Sequence, residues 1–228
     1  MRAQKTSILW LTDTINDFFD TRFSHNGKVY VPGLPVAGSS VIRPNLKQLV
    51  TYAWTNPNWK ILGGVDAHTT DVKHFSKWPK HGVKGTPGQM QIEETKLPDA
   101  VYVPIECVSK EKLESIVNFN EPVYFEKAER STDVGADASL SPRVNYNVAP
   151  ALAMIEPRVI VLAGLVLGYC VKEAKDYFVE LGYKIAVVSD AVKEFDKSEL
   201  ALLDSWEKEG VLLVKTEDIM QGKLEALV

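Results

Sequence analysis

Seven short apolar runs rich in β-branched residues recur along the chain, at Ser7–Thr12, Lys60–Val65, Ala100–Pro104, Pro122–Phe125, Arg158–Gly164, Lys184–Ser189 and Val211–Val214. Most are continuous rather than alternating, which is the pattern of parallel strands covered on both faces. Helical patterns lie between them. In Cys170–Leu181, residues Val171, Ala174, Tyr177, Phe178 and Leu181 share one face and Gly182 supplies the stop. Ser198–Gly210 repeats the scheme with Leu200, Leu203 and Trp206, and Val41–Trp54 and Lys110–Val117 read as further helices. Strand–helix alternation of this kind predicts an α/β chain, with a doubly wound parallel sheet between two helical layers. No repeat or low-complexity linker divides the 228 residues, so a single domain over 1–228 is expected. The glycine- and proline-marked segments 20–38, 69–90 and 128–150 read as long excursions.

Charge and cysteine usage narrow the function. With 26 basic and 30 acidic residues the net charge is −4, which gives no electrostatic case for nucleic acid or an anionic membrane. No apolar stretch approaches the roughly 20 residues of a membrane span. The start, Met1-Arg-Ala-Gln-Lys-Thr, lacks the apolar core of a signal peptide. Cys107 and Cys170 form no disulfide framework, so a reducing cytoplasm is expected.

Three of the four histidines fall close together, in Asp66-Ala-His68, His74 and Trp78-Pro79-Lys-His81. A carboxylate and two or three neutral imidazoles make a good set of ligands for a divalent transition metal. The cluster follows the Lys60–Val65 run, at the carboxyl end of a strand, where open α/β sheets bind ligands.

Three further residues sit at strand or helix ends. Cys170 lies between a buried strand and an amphipathic helix, where the helix macrodipole favours the thiolate. A buried cysteine is just as often inert. Asp13 ends the first strand, which is normally central in such sheets and so opens on the same crevice; an N-cap aspartate is the simpler reading of Asp13 alone. Lys127 closes Pro122-Val-Tyr-Phe-Glu-Lys127. Taken alone, a strand-end lysine reads as a solvated side chain. Together the three could serve as base, electrostatic anchor and nucleophile.

At these residues the chain resembles the isochorismatase-like cysteine hydrolases, and within them the nicotinamidases (pyrazinamidases). The resemblance runs from residue 7 to about 192. Its motifs are Asp13-Thr-Ile15-Asn16-Asp17-Phe18, Asp66-Ala-His68, Trp78-Pro79-Lys-His81-Gly-Val-Lys-Gly85-Thr86-Pro-Gly88 and Gly164-Leu-Val-Leu167-Gly168-Tyr-Cys170-Val. It implies a three-layer α/β/α fold around a mostly parallel six-stranded sheet. It also implies a catalytic triad of Asp13, Lys127 and Cys170, and an oxyanion hole from the amides of Val166 and Cys170. Asp66, His68 and His81 would be the metal ligands, with His74 a further ligand or a pocket histidine. Phe18 and Trp78 would be aromatic walls, and the Leu165–Val166 peptide would be cis.

The implied activity is hydrolysis of nicotinamide to nicotinic acid and ammonia, with one divalent metal, zinc first and iron or manganese as alternatives. The implied partners are a small amide substrate and further copies of the chain in a homo-oligomer. Ile15 stands where the family has Gln, Leu167-Gly168 where it has Thr-Asp, and Ala128-Glu-Arg-Ser-Thr-Asp-Val134 departs from the nicotinamidase pattern after Lys127. These departures keep two other readings in view: an amidase for a ureido or carbamoyl compound, and a metal-stabilised binding domain without catalysis. Cys107 reads as a packing residue, His25 as a surface turn residue, and the Lys/Glu-rich stretch from Lys193 to Glu209 as a solvated helix face.

Overall fold

The structure, a computed structural model, describes residues 6–127, 145–195 and 199–227, with the side chains of His74, Leu200 and Glu225 outside that description. Of the sequence motifs, the 128–134 segment lies outside the described residues.

Seven parallel strands form the central sheet: β1 (Ser7–Thr12), β4 (Trp59–Asp66), β5 (Val101–Val103), β6 (Val123–Lys127), β7 (Val159–Leu165), β8 (Ile185–Lys193) and β9 (Leu212–Val214). Their order is β5-β6-β4-β1-β7-β8-β9, which makes β1 central. A small antiparallel hairpin, β2 (Phe23–His25) with β3 (Lys28–Tyr30), stands apart. The sheet thus has seven strands rather than six. Its edge strands β5 and β9 are three residues each. All seven coincide with the apolar runs of the sequence, so the count of six that the resemblance implied is one short; edges this short also limit pairing with other chains.

Alternation along β1 divides the core. Leu9 and Leu11 face one apolar layer, with Leu46, Leu49 and Val50 of α1 (Arg43–Thr55). Ile8 and Trp10 face the other. That layer holds residues of α2 (Lys110–Asn118), α3 (Val148–Ile155), α4 (Lys172–Glu180) and α5 (Glu199–Lys208). The two short helices α6 (Thr216–Met220) and α7 (Leu224–Leu227) join the α1 layer through Ile219 and Leu224. Burying each such leucine or isoleucine contributes about 1.5–3 kcal/mol, which is why both faces of the sheet must be covered. Among the described residues, no helix is long and apolar enough to cross a membrane.

Two differences from the sequence reading bear on the site. Cys170 does not start a regular helix. It lies in a π-type turn, Leu167–Val171, with α4 beginning only at Lys172. Strand β8 extends past Ser189 to Lys193 because its pairing with β7 slips: Leu162 pairs with Val187, but Gly164 with Val192. The extra length of this irregularity carries the end of β8 up beside the turn that holds Cys170.

Candidate active site

The carboxyl ends of β1, β4 and β6 meet in register. Thr12 pairs with Gly64, and Asp66 pairs with Lys127. In-register parallel neighbours project their side chains on the same side of the sheet, so Asp66 and Lys127 are brought together by the strands themselves. Asp13 follows at the tip of β1 in the left-handed region, φ 46°, a conformation that aspartate tolerates better than most residues.

Three charges are buried here. The Lys127 ammonium donates to Asp13 Oδ2 at 2.5 Å and lies 3.0 Å from Asp66 Oδ1. Asp13 Oδ1 accepts the Asp66 backbone N–H at 2.8 Å. Burial pushes the Asp13 carboxyl up to about 6; Asp66 adds to the rise, and Lys127 and the Cys170 thiol oppose it. Burial would also raise Asp66, but Lys127, His68 and His81 outweigh it and hold that carboxyl well below its usual range. For Lys127 burial works against the charge, yet Asp13 and Asp66 prevail and keep the ammonium protonated well above its usual range. Two carboxylates share one ammonium in a dry setting, so removing Lys127 leaves both acids without their cation.

Cys170 completes this group. Its sulfur lies within 4.8 Å of the carboxylates of Asp13 and Asp66. Burial, first of all, raises the thiol well above its usual range, and the attraction of Lys127 only partly offsets it. The thiol is therefore neutral at rest and needs a base to become a nucleophile. The peptide between Leu165 and Val166, just before the turn, is cis, as the family pattern implies.

Asp66 also belongs to a second group. Ligand atoms of Asp66, His68 and His81, all buried, lie within 4.8 Å of one another. Asp66 Oδ2 is 3.4 Å from His68 Nε2 and 3.7 Å from His81 Nε2. His81 Nδ1 donates to the Pro79 carbonyl at 2.6 Å, which leaves Nε2 as the ring nitrogen that faces Asp66. One carboxylate and two imidazoles with their donor atoms converging fit a divalent transition metal in chemistry and in spacing. His74 belongs to the short 3-10 turn Lys73–Ser76, and its side chain lies outside the described residues.

The loops carrying the histidines are fastened together. His68 N–H donates to the Gly82 carbonyl and Lys84 N–H to the His68 carbonyl, each at 2.9 Å. Gly82 sits at φ 53°, and a Cβ there would lie 2.6 Å from Asp66 Cβ, so only glycine lets the strand and loop approach this closely. Buried Asp17 accepts the N–H groups of Gly82 and Gly33, at 2.9 Å each.

A narrow cleft opens onto these groups. It is lined by Phe18, Leu34, Asp66, Trp78, His81, Val166, Tyr169, Cys170 and Phe195. Phe18 and Trp78, expected as walls, are both there. Tyr169 and Phe195 were not anticipated: Trp78 stacks on Phe195 with centroids 5.8 Å apart, and Tyr169 meets both edge-on. Tyr169 adjoins the cysteine and could have been read from that position; Phe195 lies beyond the expected end of β8, and nothing in its local pattern marks it. A larger open groove of about 500 Å³, lined by His25, Lys84, Met90, Tyr102 and Glu126 among others, contains none of the charged or thiol groups above. Cys107, read as a packing residue, is exposed, because the chain leaves β5 after Val103.

Neither a family model nor a curated relative matches the chain. Solved structures do. An isochorismatase-like hydrolase from Alkaliphilus metalliredigens superposes with a TM-score of 0.66 at 18% identity, covering 95% of this chain and 98% of that one. The chain has the isochorismatase-like hydrolase fold. The pyrazinamidase of Pyrococcus horikoshii, solved in complex with zinc, gives 0.67 at 20% identity over 92% and 98%. The N-carbamoylsarcosine amidase of Thermoplasma acidophilum gives 0.61 at 18% identity over 92% and 96%. The isochorismatase-like fold is thus shared by a pyrazinamidase and an N-carbamoylsarcosine amidase, and at these identities the likeness extends to the fold.

Proposed function

We propose that the protein is a metal-containing cysteine amidohydrolase, with nicotinamide as its substrate. The observation that carries this reading is the convergence of the Cys170 thiol and the Asp13 and Asp66 carboxylates within 4.8 Å, with Lys127 bonded to both acids.

Asp13 acts as the base. A carboxyl raised to about 6 is ionised at neutral pH yet close enough to neutrality to hold a proton in transit. It takes the thiol proton as Sγ attacks the amide carbon, and the C=O electrons move onto oxygen. The amides of Val166 and Cys170 receive that oxyanion. Asp13 then returns the proton to nitrogen, the C–N bond breaks, and ammonia leaves a thioester on Cys170. Water, giving up a proton to the same carboxylate, adds to the thioester; collapse releases the acid and the re-protonated thiol. Lys127 stays cationic throughout and holds Asp13 in place.

A divalent metal on Asp66, His68 and His81, proposed as zinc, would supply a Lewis-acid docking point for a ring nitrogen of the substrate. Phe18, Trp78, Tyr169 and Phe195 suit a flat aromatic ring, and Asp66 joins ring docking to chemistry because it faces both groups. The Pyrococcus structure with zinc, and a Leishmania infantum neighbour solved with nicotinate (TM-score 0.65, 17% identity over 94% and 95%), support the choice.

The test is ammonia release from nicotinamide by the purified protein, before and after chelation. Activity lost on chelation and restored by zinc supports the reading as a whole. A second reading, hydrolysis of a carbamoyl compound, draws on the likeness to N-carbamoylsarcosine amidase, at a TM-score of 0.61 against 0.67 for the pyrazinamidase. It predicts ammonia from an N-carbamoyl amino acid and none from nicotinamide.

A further inference from the structure

Glu194 is a buried carboxylate with no part in the chemistry above, 4% exposed at the end of the irregular stretch of β8. Its Oε2 accepts the N–H of Gly168 in a short hydrogen bond, and its Oε1 accepts the N–H of Phe195 at 2.8 Å. Gly168 lies in the turn that holds Cys170, and Phe195 is the ring stacked on Trp78 at the mouth of the cleft. One side chain thus spans from the nucleophile's turn to the aromatic wall. The fit is tight: a Cβ on residue 168 would lie 2.7 Å from Glu194 Oε2 and 3.2 Å from Leu202 Cδ1. The segment is fastened from behind as well. Glu199, at the start of α5, accepts the Glu194 backbone N–H at 3.1 Å and pairs with the Lys193 ammonium.

We propose that Glu194 is a positioning residue, whose carboxylate fixes the turn bearing Cys170 so that the thiol faces Asp13, and that Gly168 is glycine to admit it. The π-type turn is short and irregular, and its Gly168 N–H points to Glu194. A buried N–H left without an acceptor is costly enough to move a turn of this size to another arrangement. The carboxylate's two oxygens meet that N–H and the Phe195 N–H at once. Glutamine cannot do so, because its amide nitrogen would face one of the two donors. The proposal rests on Cys170 being the nucleophile, but its test need not rest on the substrate.

The experiment is alkylation of Cys170 by iodoacetamide, followed by peptide mass in a Cys107→Ser background, beside kcat and KM for nicotinamide. Glu194→Gln and Gly168→Ala should each slow alkylation and lower kcat by about tenfold, the rate equivalent of one lost buried acceptor. Glu194→Asp, one methylene shorter, should restore most of the loss when combined with Gly168→Ala, because the space for the new methyl returns. That recovery is what a general loss of stability would not produce. Alkylation and kcat within twofold of the parent in both single variants, or a double variant worse than either, overturn the proposal. Should Glu194→Gln not fold, the comparison of Gly168→Ala with its Glu194→Asp double decides alone. If the parent releases no ammonia from nicotinamide, alkylation still decides the positioning role and only the substrate reading fails.

Discussion

The two sides of the cleft are held by different physics. On one side Asp13, Asp66, Lys127, His68 and His81 project from the ends of three in-register parallel strands and the loop zipped to them, and buried charges define their places. On the other side Cys170, Tyr169 and Phe195 sit on a π-type turn and the end of an irregular strand, held by backbone hydrogen bonds and ring packing. The charged side is rigid because every member is needed by another. The thiol side has fewer constraints, which suits the nucleophile proposed for it but leaves its position dependent on a few contacts.

Removing the sulfur separates the sides most sharply. Cys170→Ala should lower turnover by at least about 10⁴-fold, as expected when the group that forms the covalent intermediate is lost. Bound metal should stay as in the parent, because the sulfur is not one of the three converging ligand residues. Single-turnover kinetics with metal analysis check this. Residual activity near the parent's, with loss on His68→Ala instead, would move the chemistry to a metal-bound nucleophile and reverse the roles of the two sides.

Lys127→Met tests the charged side. It leaves two buried carboxylates facing each other without their cation, which should cost about 3–5 kcal/mol in urea unfolding of the metal-loaded protein. A loss under about 1 kcal/mol would mean that the acids share a proton or reach water, and the contrast between the two sides would collapse.

The same contrast explains what the sequence disclosed. Asp13, Asp66 and Lys127 were legible because a continuous apolar run ends where a parallel strand ends, and polar residues at those ends share one edge of the sheet. The candidate metal ligands were legible through residue type and spacing, and the family pattern joined them to Cys170. Glu194 and Phe195 were not. Both fall where Lys193–Glu209 reads as a solvated helix face, and the slipped pairing between Gly164 and Val192 that buries Glu194 leaves no periodic trace. Helix α3 was hidden for another reason. Pro150 reads as a break, but it stands in the first turn, where a missing N–H costs nothing.

Phe195→Ala asks how far the thiol side also binds substrate. Removing a ring stacked on Trp78 at the cleft's mouth should raise KM for nicotinamide about tenfold with kcat within a factor of about two, the signature of lost uniform binding. A fall in kcat of similar size would mean that the ring, like its neighbour Glu194, helps to fix the turn.

The smallest effect is expected one residue away from the largest charge effect. Glu126 precedes Lys127 on β6 and points to the other face, where its Oε2 meets Lys84 Nζ at 2.6 Å. At 2.6 Å the pair is nearly as short as Lys127–Asp13 at 2.5 Å, but the Lys84 side chain is 57% exposed against 9% for Lys127, and Glu126 12% against 0% for Asp13. Water already solvates the Lys84 ammonium, so the pair gains little over its separated state. Lys84→Met should therefore cost less than about 1 kcal/mol in the same unfolding measurement, and that cost should shrink as salt is added. Equal losses in Lys84→Met and Lys127→Met would show that distance rather than burial sets the strength of these pairs. In that case the rigidity assigned to the charged side would have no basis in its dryness.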